Sequence, residues 1–77
     1  MPTIRVTVLR DGEPVSGHRV VLEVSGIDGR MTSPENTDSD GVAEFDVEDG
    51  QEGTVFVDGS NEGHWGSYSA TDITVNL

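Results

Sequence analysis

The residues best suited to chemistry in this 77-residue chain are one oxygen-rich run, two histidines and two neighbouring aromatics. In Asn36-Thr37-Asp38-Ser39-Asp40-Gly41, side-chain oxygens at alternate positions precede a glycine, which is how a calcium loop begins. The twelfth position of such a loop supplies a bidentate Glu, and here it is Val47, inside a stretch that alternates like a strand. The run therefore reads first as a capped turn feeding that strand. Its alternative is a weak calcium site made by Asn36, Asp38 and Asp40, with a further oxygen from Glu35 or Asp28. Calcium is the one cofactor these residues suggest.

His18 and His64 are the only imidazoles, and neither has a second His or any Cys at metal-ligand spacing, which argues against zinc. A triad can be written on paper from Ser16 with His18, or Ser67 with His64, and one of fifteen carboxylates. No strained G-x-S-x-G turn accompanies them, and a chain this short has little room for a cleft that desolvates a catalytic carboxylate. The expectation is no enzyme. His18 lies in phase with Val20 and Leu22 and should be half packed on the core, while His64 should be exposed. Trp65 and Tyr68, the single Trp and single Tyr, could stack on a carbohydrate or anchor a protein together with His64. A thin core needs its largest side chain, so Trp65 is expected inside, and Tyr68 is open.

These residues must be positioned by a single small domain spanning 1–77. Fifteen Asp and Glu face four Arg and no Lys, a formal charge of −11. Arg5, Arg10, Arg19 and Arg30 are scattered singly, so neither nucleic acid nor an anionic membrane surface is an expected partner. The acidity fits solubility at high salt, or attraction of cations or a basic protein. No cysteine is present, which removes disulfides, thiolate metal sites and thiol nucleophiles. No apolar stretch approaches the roughly 20 residues of a membrane helix, and Met1-Pro2-Thr3 leads into a strand pattern with no signal peptide. A complete chain is thus expected to be cytoplasmic, and a module of a longer secreted protein extracellular.

The positioning elements are strands. Asp-Gly pairs at 11–12, 28–29, 40–41, 49–50 and 58–59 mark tight turns between antiparallel strands. Between them the apolar period is two: Ile4, Val6, Val8; Val20, Leu22, Val24; Ala43, Phe45, Val47; Val55, Val57; Ile73, Val75, Leu77. The Arg30–Thr37 segment is weaker, because Pro34 pushes any strand begun at Met31 to a sheet edge. The Gly63–Tyr68 segment predicts a short or bulged strand interrupted by Gly66. Gly50–Gly53 and Asp58–Gly63 are flexible-loop candidates.

Three stretches carry a resemblance: Val6-Thr7-Val8; Asp11-Gly12-Glu13-Pro14-Val15-Ser16-Gly17-His18-Arg19-Val20-Val21-Leu22; and Thr37-Asp38-Ser39-Asp40-Gly41-Val42-Ala43-Glu44-Phe45. Together they resemble the carboxypeptidase regulatory-like, or prealbumin-like (transthyretin-like), β-sandwich family over about the first three quarters of the chain. Bacterial immunoglobulin-like domains share the same look. The resemblance implies a Greek-key sandwich used as an accessory or adhesive module, and its motifs carry turns rather than catalytic groups. The combined expectation is an all-β, small antiparallel Greek-key β-sandwich of about seven short strands. Its role would be non-catalytic, structural or interactive, toward a protein partner or the domains of a parent protein. Recognition would use an edge strand or the Gly59–Tyr68 region. The alternatives are weak calcium binding and carbohydrate binding through Trp65.

Overall fold

The computed structural model describes residues 2–26 and 30–77. Met1, the expected turn at Asp28-Gly29 and the Asp28 oxygen offered to calcium lie outside the described residues. β-Branched residues spaced two apart suit a pleated surface buried on one face. The chain forms β1 (Thr3–Arg10), β2 (Glu13–Pro14), β3 (Arg19–Val24), β4 (Glu35–Asn36), β5 (Val42–Asp46), β6 (Glu52–Val57), β7 (Ser60–Gly66) and β8 (Asp72–Asn76). Among the described residues there is no helix.

β1 is the centre of the first sheet. It pairs antiparallel with β5 and β2, and parallel with β8. Val8 donates to Gly41 O and accepts from Val15 N, whereas Leu9 O accepts from Leu77 N. A strand residue directs both backbone groups to one side, so β2 and β5 share one edge of β1 and β8 occupies the other. The second sheet has the order β4-β3-β6-β7, antiparallel throughout. The chain passes between sheets at β2–β3, β4–β5, β5–β6 and β7–β8, which interleaves the two sheets in the Greek-key manner.

The core lies between the sheets and follows the sequence alternation. Ile4, Val6, Val8, Ala43, Phe45 and Val75 come from the first sheet, with Val47 just past the end of β5; Val20, Leu22, Val55, Val57 and Trp65 come from the second. At Asp11-Gly12 and Asp58-Gly59 both residues have positive φ (54° and 82°; 51° and 84°), the twist that closes a two-residue hairpin. Thr37 knots the connections together. Its buried hydroxyl donates to Val15 O at 2.8 Å and accepts from His18 N at 3.0 Å, tying the β2–β3 crossing to the β4–β5 crossing.

Four details differ from the sequence expectations. The β1–β8 pair is parallel, because β8 arrives by a crossing from β7 rather than by a hairpin. Asp58–Gly63 is not a loop: Asp58-Gly59 is the hairpin turn and β7 begins at Ser60. Gly53 belongs to β6, and Gly66 stays in the ladder opposite Glu52. Met31 makes an isolated bridge to Glu23, and the edge strand forms only after Pro34, at Glu35–Asn36.

Candidate functional site

The outer face of the second sheet carries apolar side chains that are only half-buried, with an exposed methionine beside them. Because Val20, Leu22, Val55 and Val57 point inward, Val21 and Phe56 point outward, directly opposite each other in the β3–β6 ladder. Met31 bridges to Glu23 on the same side and is 57% exposed. With Arg19, Asp58 and Gly59 these side chains line an open depression of about 520 Å³. The Arg19 guanidinium makes no ion pair among the described residues.

One rim of this depression is fixed by His18 and Asp58. Asp58 Oδ2 lies 2.7 Å from His18 Nδ1, and its Oδ1 accepts from Arg19 N at 3.2 Å. Asp58 N donates in turn to Arg19 O at 2.8 Å. The His18 hydrogen bond holds the Asp58 carboxyl below its ordinary range; slight burial opposes it, while the Arg19 N–H and the charges of His18 and Arg10 reinforce it. His18 is half-buried at the entry to β3, as its phase with Val20 and Leu22 implies. It thus has a carboxylate partner, yet among the described residues no serine hydroxyl is hydrogen-bonded to either imidazole. Ser16 is exposed, and the Ser67 hydroxyl is buried as the acceptor for Gly50 N at 2.7 Å.

Trp65 lies inside, as expected of the largest side chain of a thin core, and this overturns the alternative of His64, Trp65 and Tyr68 as one contact surface. Trp65 is 2% exposed and points into the core opposite Gly53. Its indole Nε1 donates to Glu23 O at 2.9 Å, across the place where a residue 53 side chain would stand. A Cβ at Gly53 would fall 1.7 Å from that same carbonyl, so only glycine admits the close approach of β3 on which the indole hydrogen bond depends. The indole therefore has no face to offer a sugar. His64 is exposed on the outer side of β7 opposite Thr54, and Tyr68 is 79% exposed in the turn that follows β7.

The oxygen-rich run is a capped turn. Asp38 Oδ1 accepts from Asp40 N at 2.8 Å and from Val42 N at 3.0 Å, and Gly41 N donates to Asp38 O at 2.9 Å. Asp38 thereby spends a carboxylate oxygen on starting β5. Asn36 lies in β4 opposite Arg19, and Glu35 is exposed beside it. Among the described residues no group of three His, Cys, Asp or Glu side chains is gathered as a metal ion requires.

Sequence reasoning missed the Val21–Phe56–Met31 surface and the His18–Asp58 pair. The signal for the first was present, since Val55-Phe56-Val57 puts at least one apolar residue on the outer face whichever way the strand is turned. The chain matches no family model, no curated protein and no solved structure.

Proposed function

We infer that this chain is a non-catalytic interaction module, and that it recognises a protein partner through the outer face of its second sheet. The observation that carries this reading is the outward-facing, half-buried Val21–Phe56 pair with the exposed Met31 beside it, on a surface otherwise crowded with carboxylates. Apolar anchors surrounded by polar groups are the usual anatomy of a protein contact, and the rim here is Arg19, Asp58, Thr54 and His64. The chain's acidity favours a partner with a basic surround, drawn in at long range and seated on the apolar centre. An accessory role of the prealbumin-like kind fits the same reading, and the hairpins at Asp11-Gly12 and Asp58-Gly59 support it without adding chemistry.

The test is a comparison of faces. The immobilised chain is offered to an extract of its own cells alongside Phe56→Asp, with Glu44→Ala on the opposite sheet as control, and retained proteins are quantified by mass spectrometry. Binding that survives Glu44→Ala and disappears with Phe56→Asp, at unchanged near-ultraviolet circular dichroism, is the expected result. A retained set that ignores Phe56→Asp sinks the assignment of this face.

A further inference from the structure

A sheet edge offers unpaired backbone groups, and most edges here are blunted. β4 has two residues and follows Pro34, which has no N–H to give. β7 carries a bulge, since Val55 pairs with Gly63 while Phe56 pairs with Asn61, leaving Glu62 extra. β5, the other outer strand of the first sheet, has its Val42 N–H and C=O taken by the Asp38 side chain and the Asp38 N–H, and its remaining open positions are Glu44 and Asp46, whose carboxylates would meet in any self-pairing. β8 has neither a strand-shortening, a proline, a bulge nor a run of carboxylates to guard it. Asp72–Asn76 contains no proline, glycine, lysine or bulge, and among the described residues it pairs with β1 alone.

The direction of its free groups follows from the ladder. Arg5 N donates to Thr71 O and Leu77 N donates to Leu9 O, so the odd-numbered residues of this segment face β1. Asp72, Thr74 and Asn76 consequently direct both N–H and C=O to the open side. The open strip ends at Ala70, which exchanges hydrogen bonds of 3.0 and 3.1 Å with Gly66. What remains is short and centred on Thr74.

Two such strips are complementary. We propose that β8 pairs antiparallel with β8 of a second copy of this chain, about a two-fold axis through Thr74, joining the first sheets of the two copies. Thr74 then opposes Thr74, a favourable cross-strand pair, and Asp72 opposes Asn76, so no carboxylate meets a carboxylate. On the inner side the half-buried Ile73 meets Val75 of the second copy. A two-fold axis at Asp72 would oppose two carboxylates and leave Asn76 unpaired. The Thr74 register is the one that uses all three outward residues. One strand pair covers less than the roughly 1,200 Å² of a stable interface, so the dimer is weak and concentration-dependent. Each copy carries −11, so association strengthens as salt screens the repulsion.

Sedimentation equilibrium of the full chain at about millimolar protein reads this directly. The dimer fraction is expected to rise from low salt to about 1 M salt. Thr74→Pro removes an outward N–H without touching the β1 ladder and should leave a monomer. Asn76→Arg sets a guanidinium opposite Asp72 twice and should tighten the dimer about tenfold, while Asn76→Asp should loosen it about tenfold. Trp65 emission reports that each variant is folded, and the Asn76 variants decide the matter should Thr74→Pro fail to fold. A chain that stays monomeric at every salt overturns the proposal, whether or not the edge takes a strand from another protein. So does a dimer indifferent to the Asn76 substitutions.

Discussion

On the outside of the first sheet, Arg5 reaches Glu44 at 3.3 Å and Thr3 donates to Asp46 at 3.2 Å, so polar partners on β1 and β5 engage each other. On the outside of the second sheet the corresponding ladder positions hold Val21 and Phe56, with Met31 alongside. Inside, the two sheets are alike, each contributing β-branched residues and one large aromatic, Phe45 or Trp65. The difference teaches where selection for something beyond folding has room to act. A core can be filled from either side by similar residues, whereas a half-buried apolar pair on an outer face contributes less to the fold and is the feature on which the proposed partner reading rests.

If the two sheets are equal partners in the core, removing either aromatic must be about equally costly. Trp65→Ala and Phe45→Ala are each expected to lose about 3–5 kcal/mol in urea unfolding, a large part of the stability of so small a domain. Trp65→Phe is the finer version. It keeps most of the packing but leaves Glu23 O without its indole donor, at a cost of about 1–3 kcal/mol. A Trp65→Ala loss under about 1 kcal/mol would mean that the second sheet is peripheral, and that its open outer face reflects looseness rather than recognition.

The rim of the open face gives a smaller, pH-dependent effect. Asp58 is held below its ordinary pKa, chiefly by His18, so the folded state binds the Asp58 proton more weakly than the unfolded state does. The pair's contribution is therefore present above the unfolded value, near pH 4, and is lost as pH falls through the lower folded value. Asp58→Asn keeps a residue that tolerates positive φ while removing the charge, so it isolates this effect. The stability difference between wild type and Asp58→Asn should hold at pH 5 and above, and shrink below about pH 4. A difference that persists at about pH 2 would assign the role of Asp58 to its turn geometry instead of its carboxylate.

How much of this was legible beforehand follows the range of the interactions. The strands and hairpins are written in adjacent residues: Ile4, Val6 and Val8 on one face, and Asp11-Gly12 at a turn that asks for positive φ twice. The β1–β8 pairing is not written locally, since its partners are some seventy residues apart and meet only after four crossings between sheets. Trp65 illustrates the intermediate case. Its side of β7 follows from alternation, but its hydrogen bond depends on Gly53 of β6 and a carbonyl of β3, which no window of neighbouring residues contains. Asp38 shows why a motif can mislead, because the oxygen spacing that begins a calcium loop is the same spacing that caps a turn.

The smallest expected effect tests the closed face. Arg5 and Glu44 are more than half exposed, at 56% and 54% of their side-chain surface, so their attraction is strongly screened by water. A double-mutant cycle with Arg5→Ala and Glu44→Ala should give a coupling of about 0.2–1 kcal/mol, falling as salt is added. The whole chain should respond in the opposite sense. With a formal charge of −11 its folded state suffers self-repulsion, so the wild-type unfolding free energy should rise with the same salt. The two signs separate a local pair from the global field in one set of measurements. A coupling well above about 1 kcal/mol that ignores salt would mean the Arg5–Glu44 pair is desolvated, and the first sheet's outer face would then be as much a candidate contact surface as the second's.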